Sequence, residues 1–121
     1  MITITLRNMG PGGTPAGNDA APGFVVEGHA GGGRRGDDVV CAGVSAIVQT
    51  AVIAVSRVAG ASQDLIQREG YLATRIRPPE DHEAAFAVSV ILRSMILGLG
   101  EIVSQYPEHV SISFETGNQS L

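Results

Sequence analysis

The sequence predicts an α/β fold: a two-layer sandwich whose mostly antiparallel sheet carries two helices on one face, in the order β-β-α-β-α-β. Three observations carry this expectation. Short segments alternate apolar and polar residues, two long segments repeat apolar residues every three or four positions, and glycine- and proline-rich breaks separate them. At 121 residues, with 44% hydrophobic and 17% charged side chains, the chain has the size and composition of one globular domain, 1–121.

Each element has its own signal. "MITITLR" sets Ile2, Ile4 and Leu6 on one face of a strand, with Thr3, Thr5 and Arg7 on the other. "NMGPGGTPAGNDAAPG" is too rich in Gly and Pro for regular structure, so 8–23 is expected to be a mobile loop. "FVVEGHA" reads as a second strand, paired antiparallel with the first. After a second glycine-rich loop, 30–36, a helix should start with Gly36 or Asp37 as its cap and stop at Gly60. "GYLATRIRP" alternates again and is stopped by Pro78 and Pro79. From about Glu80 to Tyr106, the recurrence of Ala85, Val88, Leu92, Met95, Leu99, Ile102 and Tyr106 marks a second helix. In "HVSISFE", Val110, Ile112 and Phe114 should face inward on a last strand.

Composition removes several function classes. The net charge is −4 and all eight basic residues are arginine, so the basic footprint of a nucleic-acid binder is missing and no direct nucleic-acid contact is expected. The apolar run 39–60 approaches membrane length, but Ser45, Gln49, Thr50, Ser56 and Arg57 interrupt it; it reads as a buried helix, and no membrane association is expected. One cysteine makes no intrachain disulfide, and the opening residues lack the charged head and long apolar run of a secretory signal. A cytoplasmic setting is the expectation. "HEAAF" begins like a zinc-protease helix but has Phe86 where the second His must stand, and neither His82 nor His109 has a partner at ligand spacing. No metal and no cofactor are expected.

The chemistry concentrates in "EGHAGGGRRGDDVVCAGVS", residues 27–45. Cys41 is expected in the first turn of its helix, where free N–H groups and the macrodipole favour a thiolate and offer donors to an oxyanion. His29 ends the preceding strand, and the loop between them is short enough to return it beside the sulfur, giving a Cys–His pair. Asp38, Cys41 and Ser45 project from one helical face. Asp38 is assigned to orienting His29 or capping the helix. Ser45 is assigned a hydrogen bond to the sulfur, to a substrate, or back to its own helix. The plain alternative is a buried small cysteine beside a solvated histidine. "GGGRRGDD" is not a P-loop, because the chain has no lysine.

Gly28, His29 and Ala30, followed by a glycine-containing loop and then Gly36, Asp38, Val39, Val40, Cys41, Ala42 and Ser45, resemble the signature of the bacterial ribosomal-processing cysteine protease family, Prp. The resemblance implies that Cys41 is the nucleophile, His29 the general base and acid, and Asp38 and Ser45 supporting residues. It implies a homodimer that removes the N-terminal extension of the twenty-seventh large-subunit ribosomal protein, with that precursor as peptide substrate. It also implies that Gly31, Gly32, Gly33, Arg34, Arg35 and Gly36 form a loop that orders over the bound peptide. Arg75 and Arg77 are further candidates for peptide contact. The alternative function is a non-catalytic, dimeric, ribosome-associated interaction module.

Overall fold

The computed structural model describes residues 1–13, 21–28 and 35–116, with 35–38 in their backbone alone. The element order is β1 (Ile2–Arg7), β2 (Gly23–Glu27), α1 (Arg35–Arg57), β3 (Gln63–Arg68), β4 (Tyr71–Ile76), α2 (His82–Gln105) and β5 (Val110–Glu115). The strands form one sheet in the order β3-β4-β2-β1-β5. All neighbours run antiparallel except β1 and β5, which pair in parallel from Ile2 against Val110 to Arg7 against Glu115. The α/β sandwich expected from the sequence is present, with one strand more.

That strand is β3. Its only large apolar residues, Leu65 and Ile66, are adjacent rather than alternating, which hides it from a period-two reading. It forms because Glu69 and Gly70 turn the chain back onto β4, with Gly70 at a φ of 72° that suits glycine. As an edge strand it needs little apolar character, and both Leu65 and Ile66 remain exposed.

The core lies between the helices and one sheet face. Ile2, Ile4 and Leu6 of β1, Phe24 of β2, and Leu72 and Ile76 of β4 meet Val40, Val44, Val48 and Val55 of α1 and Val88, Leu92, Met95 and Leu99 of α2. The α1 residues recur at four, four and seven positions and the α2 residues at four, three and four, as core-facing helix stripes must. Gly43 faces Ile102 and Gly98 faces Ile47, so missing side chains let the two helices approach. Both helices are long and apolar enough to cross a membrane by length and composition, yet each lies along the sheet on a buried stripe. Asp81 caps α2 by accepting from the Ala84 N–H at 2.9 Å, so this helix starts at His82, two residues into the expected segment. Two residues of the expected apolar patterns are exposed. Tyr106 caps the end of α2, and Phe114 stands near the end of the edge strand β5; both remain exposed.

The two described ends of the 8–23 segment are anchored. Asn8, at a φ of 57°, donates from Nδ2 to the Ala21 carbonyl at 3.1 Å, and Met9 is buried in the core.

Candidate active site

Helix α1 begins at Arg35, two residues before the Asp37 position. Nothing in "RGDD" prevents this: Gly36 inside a helix costs only about 1 kcal/mol relative to alanine, and Asp37 and Asp38 suit the positive end of the dipole. Arg35 and Gly36 are therefore helical, which corrects the loop expected over 30–36 at its last two residues. Cys41 stands six residues beyond Arg35, about 9 Å up the axis, in the second turn and not the first. At that depth the backbone N–H belongs to the helix ladder. The expectation that Cys41 lies in the first turn, among the free donors of the helix start, is overturned.

Cys41 is half-buried and faces a cleft of about 240 Å³. The floor is apolar: Ile2, Val26 and Leu72 come from three adjacent strands, and Val44 and Val48 from α1. The rim is polar. Ser45 and Gln49 stand one and two turns beyond Cys41, and Gln67 faces them from β3. Gln49 Nε2 donates to Ser45 Oγ at 2.8 Å.

Gly28 borders the same cleft where β2 ends. Its φ is 97°, and any Cβ there would overlap the Met1 carbonyl oxygen, so the position demands glycine twice over. Its N–H donates to the Gly70 carbonyl at 2.9 Å, joining the end of β2 to the β3–β4 turn. His29 is the next residue in sequence. It lies outside the described residues together with Ala30, Gly31, Gly32, Gly33 and Arg34, and Asp38 is described in its backbone alone. The structure thus brings Cys41, Ser45 and Gly28 to one cleft.

Arg75 and Arg77 are elsewhere. They flank Asp64 at 3.7 and 3.2 Å, at the opposite end of β4 from the cleft residues Tyr71 and Leu72, and these exposed ion pairs answer the arginine charges locally. Sequence reasoning did not single out Gln49 or Gln67. Gln49 was within reach, because it continues the four-residue stripe from Cys41 through Ser45. Gln67 was not, because its strand went unread.

A lone cysteine in the wall of an open apolar cleft, on the helix that follows a His-led glycine-rich segment, has the access to a ligand that a thiol nucleophile requires. Residues 14–111 match the family model of the cysteine protease Prp, and the chain belongs to that family. It is 33% identical over 92 residues to the ribosomal processing cysteine protease Prp of Bacillus subtilis (strain 168), across 74% of this chain and 82% of that protein. The protein of the same name from Staphylococcus aureus (strain Mu50) is 28% identical over 93 residues, 75% of this chain and 84% of that one.

Solved structures agree. Prp from S. aureus in complex with a covalently linked product peptide superposes with a TM-score of 0.72 at 25% identity, over 94% of this chain and 99% of that one. A protein from Streptococcus mutans shares the fold with a TM-score of 0.70 at 22% identity, over 97% and 96% of the two chains. The protein is accordingly a cysteine protease, an enzyme that hydrolyses peptide bonds, and the reading as a non-catalytic module is set aside.

Proposed function

We propose that this protease removes the N-terminal extension of the twenty-seventh large-subunit ribosomal protein during bacterial ribosome maturation. The observation that carries the reading is the placement of Cys41 on an open cleft in a chain of the Prp family, whose B. subtilis relative is a ribosomal processing protease. An apolar floor with a polar rim suits an extended peptide, which offers side chains to the one and backbone amides to the other.

In the proposed mechanism the Cys41 thiolate adds to the scissile carbonyl carbon. The C–N bond then breaks, and the departing amine takes a proton from the His29 imidazolium, leaving a thioester on Cys41. His29, now neutral, takes a proton from water as the oxygen adds to the thioester. The C–S bond breaks, an acid is released, and the thiolate–imidazolium pair is restored. General acid–base help of this kind contributes about 10²–10⁴-fold. Asp38 orients His29 and Ser45 supplies a hydrogen bond at the sulfur end of the cleft. The glycines Gly31 to Gly33, with Arg34, cover the bound peptide. The covalently linked product peptide in the S. aureus relative supports a nucleophilic route. No cofactor enters the scheme, and a cytoplasmic compartment keeps Cys41 reduced.

The protein acts as a homodimer in this reading. The outer side of the helix layer carries Ile53, Phe86, Val90 and Leu97 in exposed positions, beside a groove of about 420 Å³ between α1 and α2. An apolar surface of that kind is suited to a second copy of the chain.

The test mixes the purified protein with the host's precursor ribosomal protein and reads the new N-terminus by mass spectrometry. Wild type should release the extension and Cys41→Ala should not. A folded, dimeric wild type that leaves the extension intact overturns the substrate assignment, and a cleaving Cys41→Ala overturns the nucleophile.

A further inference from the structure

We propose that Gln49 is a positioning residue for the cleavage reaction, acting through Ser45 on the Cys41 end of the cleft; the proposal rests on Cys41 being the nucleophile. Residues four apart on a helix are neighbours, so Cys41, Ser45 and Gln49 form a continuous stripe along α1, and all three line the cleft.

The direction of one hydrogen bond gives the stripe its meaning. A serine or threonine inside a helix ordinarily donates its hydroxyl to a carbonyl one turn back. This molecule does so repeatedly: Thr50 donates to the Ala46 carbonyl at 2.6 Å, Ser89 to the Phe86 carbonyl at 2.7 Å and Ser94 to the Val90 carbonyl at 2.8 Å. Ser45 does not, and neither does Ser56, which accepts from Gln63 Nε2 at 2.8 Å away from the cleft. The Ser45 oxygen accepts from Gln49 Nε2 at 2.8 Å, and of the two it is the one that lines the cleft beside Cys41. A hydroxyl that accepts from one side keeps its proton for another. The neighbour one turn back on the stripe is Cys41. Gln49 therefore leaves the Ser45 proton free for donation at the sulfur end of the cleft, where a thiolate or a developing oxyanion needs a donor.

Two substitutions of similar length separate this role from packing. A carboxylate only accepts, so Gln49→Glu obliges Ser45 to turn its proton towards position 49. Gln49→Met offers no polar atom of comparable strength and releases the hydroxyl to bond back to its own helix. The substrate is a synthetic peptide spanning the extension junction of the host's twenty-seventh large-subunit ribosomal protein, and Cys41→Ala is the blank.

In both variants kcat should fall about three- to tenfold, the worth of one hydrogen bond, while KM stays within about twofold and the melting temperature holds. Iodoacetamide modification of Cys41 at neutral pH should slow in parallel. In a Ser45→Ala background, Gln49→Glu should have no further effect. An unchanged kcat in Gln49→Glu, a rise in KM alone, or a full additional loss in the Ser45→Ala background overturns the role of Gln49. If wild type leaves the peptide uncut, the substrate assignment has failed separately. The alkylation rates then decide: equal rates in wild type and Gln49→Glu overturn the proposal, and a slower variant upholds it.

Discussion

Thr74 donates its hydroxyl to Gln63 Oε1 at 2.7 Å, and through that bond a fully buried polar residue of β4 is tied to helix α1. Gln63 completes the link by donating from Nε2 to the Val52 carbonyl and to Ser56 Oγ, both at 2.8 Å. The node fixes the distance between the β3–β4 hairpin and α1, the elements that form two walls of the cleft. Gln63→Leu orphans the Thr74 hydroxyl in a dry environment and should cost about 1–3 kcal/mol of stability. Adding Thr74→Val removes the orphan, so the double variant should be more stable than Gln63→Leu alone. Urea denaturation of the four proteins checks this, and a simple sum of the two single losses would contradict it.

Gly28 is the second point of control. Gly28→Ala forces a side chain into left-handed backbone and against the Met1 carbonyl. Strain of that kind costs about 1–3 kcal/mol. Because the position hands the chain from β2 to His29, kcat should drop more steeply than the melting temperature implies. Parallel thermal unfolding and peptide-cleavage assays give the comparison. Wild-type turnover in a clearly destabilised Gly28→Ala would remove the link to His29.

Reactivity of the thiol tests the Cys–His pair without any substrate. An ordinary cysteine is only a few per cent ionised at neutral pH. Iodoacetamide should therefore label wild type quickly, with one adduct per chain by intact mass, and His29→Ala about tenfold more slowly. Cys41→Ala should take no adduct and unfold within about 1 kcal/mol of wild type, since the side chain is half-buried and the change is small. Equal labelling of wild type and His29→Ala would remove His29 from the pair.

The outer helix surface makes a prediction about assembly. Phe86 is 69% exposed and Leu97 61% exposed, values at which neither contributes much to the core of one chain. Phe86→Glu with Leu97→Glu should leave the fold intact by circular dichroism and convert a dimer to a monomer in sedimentation velocity. A double variant that still sediments as a dimer would place the contact on another surface.

Much of the architecture was legible because its signals are local. Ile2, Ile4 and Leu6 alternate cleanly and all three are buried; Val88, Leu92, Met95 and Leu99 repeat at helical spacing and meet the same core. The strand Gln63–Arg68 was not legible, since an edge strand is held by its neighbour's backbone and its own side chains need not alternate. The start of α1 was misplaced for a related reason. Glycine and arginine carry no strong start signal, and Gly36 and Asp37, the two expected caps, lie inside the first turn.

The sequence by itself determined the two-layer α/β class, the pairing of the first two strands and the residues of the protease signature around Cys41, because periodicity and fixed offsets are properties of neighbouring residues. Only the tertiary structure decided what surrounds the sulfur. Ile2, Leu72 and Gln67 reach the cleft from three strands whose registers are set by backbone ladders, and no local pattern encodes those registers. The structure also moved Cys41 from the first helical turn to the second and showed Ser45 engaged by Gln49. A segment carries its own alternation and spacing; what it faces depends on how distant segments pack against it.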